Sequence, residues 1–92
     1  MTDFATSVER LHNQVRHWEG QRWKAKAEQM YGLVQLLADL GADAEGRPHR
    51  PIPREHDMVL PDQLRVVTDD LIAAGPVPAE AIAAVDEVRR SM

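Results

Sequence analysis

Glu9 and His12 stand three residues apart, the Glu-x-x-His spacing with which carboxylate-bridged di-metal bundles set two ligands on one helix. Such a centre also needs a second pair of this kind and two further glutamates on facing helices, and the chain contains no second pair. The other histidines do not replace it. His12 and His17 are five residues apart, which on a helix turns them roughly 140° away from each other, and His49 and His56 fall in a proline-rich stretch. Metal-ligand spacing is not met. Nucleophilic chemistry has little to draw on: Ser7 and Ser91 lie near the two ends without a glycine-rich elbow, and cysteine is absent. The adjacent carboxylates Asp69 and Asp70 point to different sides of a helix and form no dyad. Gly20, Gly32, Gly41, Gly46 and Gly75 are too scattered to cradle a phosphate. The expectation is a protein with no catalytic residue, no metal ligand set and no cofactor.

Arg16, Arg22, Lys24 and Lys26, interleaved with Trp18 and Trp23, have the composition of a nucleic-acid patch. Helical projection sends these cations in three directions, so no basic stripe forms, and nucleic acid is not an expected partner. Arg22 and Lys26 do prolong an apolar stripe where it stops. There they can pair with acids of a facing helix, Asp69, Asp70, Asp86 or Glu87, or lay their aliphatic stems over the stripe's edge. Trp18-Glu19-Gly20 resembles the W-x-G signature of small secreted helical-hairpin proteins, which are also acidic, cysteine-free and of similar length. That resemblance implies a turn between two long packed helices. Here the motif follows only 17 residues and a proline-rich connection comes later, so no role is carried over to particular residues.

The element that must position any site is the stretch from Phe4 to Leu40. Phe4, Val8, Leu11, Val15 and Trp18 recur at steps of four and three and fall within roughly 80° of arc on a helix. Trp23, Ala27, Met30, Leu33, Val34, Leu37 and Leu40 form a broader face, turned by about 60° from the first. The phase changes near Gly20. One reading is a continuous or mildly kinked rod over residues 1–41, spanning roughly 55 Å and ended by Gly41. The other breaks the rod at Gly20 and gives four helices in a monomeric bundle. The rod is preferred, because Glu19 and Gln21 are good helix formers and a buried glycine costs only about 1 kcal/mol.

Residues 42–60 read as an extended connection in which Pro48, Pro51 and Pro53 exclude helix, laid back along the first helix as a strap. Residues 61–92 read as a hairpin of two short helices. Pro61 opens the first, Gly75 and Pro76 stop it, and Pro78 opens the second. Leu60, Leu64, Val67, Leu71 and Ala74, with Val66 and Ile72 widening the face, then Ala81, Ile82, Val85 and Val88, are the apolar faces. The class is all-α, one domain over residues 1–92, with no strand candidate.

Ninety-two residues with a net charge of −4 make one domain near the lower limit for stabilisation by core burial alone. No apolar run approaches the length of a membrane span and no signal pattern opens the chain, so the cytoplasm is the default setting. Nine arginines against two lysines suggest a GC-rich bacterial source. Two short helices cannot cover a 55 Å rod by themselves, taking about 20 Å for each. The sequence therefore predicts a non-enzymatic interaction protein, a homodimer or a subunit docking on another protein. Its interface would comprise Phe4, Val8, Leu11, Val15, Trp18, Arg22, Trp23 and Lys26. The rival readings are a bundle holding a small apolar ligand and a nucleic-acid-associated accessory protein.

Overall fold

The computed structural model describes residues 3–18, 20–56 and 59–91, apart from the side chains of Gly20 and Arg22. It is all-helical, with α1 over Phe4–Val15, α2 over Gly20–Ala44, α3 over Leu60–Ala73 and α4 over Ala79–Ser91. No strand occurs among the described residues, and no helix is long and apolar enough to cross a membrane.

The expected rod is two helices. Asp3 caps the first, its carboxylate accepting the Thr6 N–H at 2.8 Å, which also holds the Asp3 carboxyl below its ordinary value. The helix ends at Val15, and the chain turns through Arg16 and His17 before Gly20 opens α2. The change of apolar phase explains the break. A single rod cannot turn both stripes toward one facing layer, whereas two helices can each be rotated to do so. Trp18 and Trp23 close the corner edge to face, with ring centroids 5.2 Å apart and planes inclined at 64°, the offset geometry that aromatic quadrupoles favour. Gly20 stands at a helix start, where its interior penalty does not apply.

The second correction concerns the end of α2. The helix runs through Gly41 and stops at Ala44. Gly46, at φ 68°, is the closing residue. The Arg47 N–H donates to the Ala42 carbonyl at 2.8 Å and the Gly46 N–H to the Asp43 carbonyl at 3.2 Å, the paired bonds of a Schellman closure. Gly41 instead sits in the helix body, where an added Cβ would meet only the Leu71 Cα at 4.0 Å. Opposite effects are expected from the same substitution. Gly41→Ala should stabilise by about 0.5–1 kcal/mol through helix propensity, and Gly46→Ala should destabilise by about 1 kcal/mol through its left-handed backbone. Urea midpoints of the two variants check this.

All close backbone packing among the described residues crosses between the first half of the chain and the second. α2 packs on α3 and α4, and α1 packs on α3 and α4; α1 does not approach α2, nor α3 approach α4, within 8 Å between Cα atoms. The expected hairpin over residues 61–92 is therefore not a packed hairpin. Each of its helices turns its apolar stripe across the interface, and Gly75 at φ 133° swings the chain between them. The result is a slab of two helical layers with Cα extents of 37 × 32 × 16 Å. Two layers at an interaxial distance of about 9 Å, with Cα atoms about 2.3 Å from each axis, come to roughly 14 Å. The longest extent is about the length of α2, whose 25 residues rise by about 1.5 Å each. A radius of gyration of 12.5 Å matches the value of about 12 Å for a compact chain of this length.

One contiguous core fills the interface. Leu11, Val15, Met30, Val34, Leu37, Leu64, Ala81 and Val85 are fully enclosed, and Phe4, Val8, Trp18, Trp23, Ala27, Leu33, Leu60, Val67, Leu71 and Val88 complete the cluster.

Candidate functional site

Six of the eight residues expected at a partner interface lie in this core. Phe4, Val8, Leu11, Val15, Trp18 and Trp23 are each 8 % exposed or less in a single chain. The stripe expected to stay uncovered is covered by α3 and α4, because breaking the rod lets two short helices reach all of it. The Arg22 side chain lies outside the described residues. Lys26 is half-buried, and its Nζ donates to the Ser91 carbonyl at 3.0 Å. It thus meets the partial negative charge at the end of α4.

The residues considered for chemistry are not brought together. Among the described residues no group of three or more His, Asp or Glu side chains is placed to hold a metal ion. α1 and α2 do not pack on each other, so the hairpin implied by the W-x-G resemblance is not formed.

Polar geometry is concentrated along residues 47–56, which run back beside α2. Gln35 brackets Pro51: its Nε2 donates to the Arg50 carbonyl at 3.0 Å, and its Oε1 accepts the Ile52 N–H at 2.8 Å. The Tyr31 hydroxyl donates to the Ile52 carbonyl. From the other side, Gln63 of α3 donates to the Pro53 carbonyl at 3.1 Å. Arg54 lies over the Tyr31 ring, 4.6 Å from its centroid, and reaches the Glu28 carboxylate at 2.8 Å. His49 sits 2.6 Å from one Asp43 oxygen and 3.8 Å from an Asp39 oxygen. Backbone groups that prolines leave without a ladder are thereby satisfied from two helices.

The hydrogen bond that the His49 Nε2–H donates to the Asp43 carboxylate, assisted by the charges of Asp43 and Asp39, holds the His49 imidazole above its ordinary value of 6.5. A raised value means that the folded state binds the proton more tightly. The contribution is fully present below the ordinary value and disappears as pH rises through the raised one. The stability gap between the parent and His49→Gln should therefore narrow from pH 5.5 toward pH 8.5, as melting curves at several pH values will register. A gap that widens with pH would contradict the pairing.

Two surface recesses flank α3. One, of about 220 Å³, lies between α2, residues 47–52 and α3, with Leu37, Ala38, Ile52, Val66 and Val67 among its walls and Arg50 and Asp70 on opposite elements. The other, of about 250 Å³, lies between α1 and α3 and is lined by Ala5, Val8, Glu9, Arg65, Thr68, Asp69 and Ile72. Val66 and Ile72, expected to widen the apolar face of α3, are instead 59 % and 43 % exposed, because a helix in a two-layer slab buries one stripe, filled here by Leu60, Leu64, Val67 and Leu71. The buried hydroxyls of Ser7 and Thr68 have no hydrogen-bond partner among the described residues. Thr68→Val, which removes a buried polar group while keeping its shape, should stabilise by about 1 kcal/mol; a loss of stability in thermal unfolding would reveal a partner for that hydroxyl.

No family model, curated protein or solved structure matches the chain.

Proposed function

We propose that this chain is a non-enzymatic protein-interaction module that docks a partner through the recess between α2, residues 47–52 and α3. Val66 carries this reading. It is 59 % exposed, more than Val59 or Ile72, the other large apolar side chains left exposed among the described residues, and it stands at the edge of an apolar recess. An apolar side chain left in water beside such a recess is the local form of an interaction patch. The ordered connection acts as a strap in this reading. Gln35, Tyr31 and Gln63 hold its backbone, so that it forms one fixed wall.

The size of the recess favours a partner side chain over a free ligand. Small-molecule sites run to about 300–1,000 Å³, and about 220 Å³ suits one inserted leucine- or phenylalanine-sized group. Arg50 on the connection and Asp70 on α3 set the rest of the chemistry. The partner segment carries an apolar anchor flanked by a carboxylate on one side and an amine or guanidinium on the other. These features support the interaction reading over the apolar-ligand reading. The cytoplasmic setting read from the sequence belongs to the same proposal.

The test is selection of a displayed random-peptide library against the full chain, followed by fluorescence anisotropy of the enriched peptides. Val66→Asp alters an exposed position and should leave the fold intact by circular dichroism. Binding that falls at least tenfold in that variant is expected, about 1.4 kcal/mol or more. Failure to enrich any sequence, or binding indifferent to Val66→Asp, would overturn the proposal.

A further inference from the structure

In most short four-helix chains, neighbours in sequence pack on each other. Here α1 and α2 share no Cα approach within 8 Å, α3 and α4 share none, and every such approach between helices joins one half to the other. Neither half has a helix–helix core of its own. Phe4, Leu11, Val15, Met30 and Leu37 are enclosed where α1 and α2 meet α3 and α4, and a single crossing from Ala44 to Leu60 joins the two sets. The molecule is in effect a complex between two segments that share one covalent tie.

We infer that this internal interface is exchangeable: the α1–α2 half of one copy accepts the α3–α4 half of a second copy, giving a reciprocal dimer in which each lobe repeats the packing of the single chain. The occupant is a second copy because its α3–α4 half is identical to the segment already seated there. Exchange of an identical element recreates every contact except those of the hinge. The hinge contacts select the closed form. Gly46 reverses the chain at φ 68°, Gln35 and Tyr31 fasten Arg50 and Ile52 to α2, and Arg54 is tied to Glu28. A tether of this kind gives the chain's own second half an effective concentration in the millimolar range. The closed monomer therefore dominates at micromolar protein, and the exchanged dimer emerges when the tether cannot close. This inference does not rest on the Val66 recess.

Deleting residues 47–56 tests it. Those residues carry the chain from the level of Asp43, beside His49, to that of Glu28, beside Arg54, roughly 22 Å at 1.5 Å of helical rise per residue. The five residues left, 45, 46 and 57–59, give six steps from Ala44 to Leu60, about 21 Å at about 3.5 Å each, short of the roughly 24 Å that results when an interaxial offset of about 9 Å is added. Light scattering behind a sizing column should give a doubled mass, with helicity preserved. A folded monomer would overturn the inference. If the deletion leaves the chain unfolded, two full-length variants decide. Leu37→Asp damages the first half and Leu64→Asp the second. Refolded together, they should recover about half of the parental helical signal, since one lobe of a mixed dimer pairs two intact halves. A mixture that recovers no more than its two components refolded separately overturns it.

Discussion

Leu37→Asp is expected to leave the protein largely unfolded at 25 °C. Leu37 is fully enclosed on α2, and Ser7 and Thr68 are the only polar residues classed as buried among those described, so no buried cation is available to a carboxylate there. Loss of the leucine costs about 2–5 kcal/mol in packing, and an uncompensated buried charge adds several more. A chain of this length has only about 5–14 kcal/mol to lose, at 0.05–0.15 kcal/mol per residue. The carboxyl would relieve part of the strain by staying protonated. Its folded-state value would be raised, so stability should partly return as pH is lowered. Far-UV circular dichroism at pH 7 and at pH 4.5 tests both parts. A cooperative melt close to the parent's at pH 7 would show that Leu37 is not at the centre of the core.

The helical class was legible because the apolar spacing repeats without interruption on each side of Gly20. The core was legible for the same reason: Val8, Leu11, Val15, Met30, Leu37, Leu64 and Val85 all belong to stripes visible in the sequence, and all are enclosed. The break between α1 and α2 was written in the phase shift, but propensity at Glu19 and Gln21 argued the other way. Local preference worth tenths of a kcal/mol lost to burial worth several. The exchange of Gly41 for Gly46 as the closing residue has a similar cause. Either glycine can adopt the left-handed turn, and the choice depends on whether α2 gains from three more residues of contact with α3.

The polar anchoring of the connection was not expected, although its signal was present. Glu28, Tyr31, Gln35, Asp39 and Asp43 recur at steps of three and four, a polar stripe on α2 as regular as the apolar one. Four of them are recorded against residues 47–56 in close contacts, and Asp39 faces His49 at 3.8 Å. The recess beside Val66 had no such signal, since Val66, Val67 and Asp70 reach it from a helix remote in sequence from the other two walls.

Phe4→Asp separates the core reading of the first stripe from a surface reading most sharply. A residue at an exposed dimer interface would tolerate aspartate in the monomer and lose only association. Phe4 is 4 % exposed within one chain and belongs to the common core, so the substitution should cost about 3–5 kcal/mol in lost packing. A local effect works the other way. Phe4 is the first residue of α1, next to the Asp3 cap, and a carboxylate there gains about 0.3–1 kcal/mol from the helix dipole. Packing exceeds that gain severalfold, so the net outcome is destabilisation. The expected result is a urea midpoint shifted well below the parent's at unchanged molecular mass. A variant that unfolds like the parent but drops from dimer to monomer would return Phe4, Leu11 and Trp18 to the surface of the single chain. The magnitude also reports on α1 itself. If this helix can leave α3 and α4 on its own, the loss appears as early exchange of the amide protons of Val8–Val15 while those of α2 stay protected. If the slab is one cooperative unit, both sets exchange together, because α3 and α4 each pack on both α1 and α2.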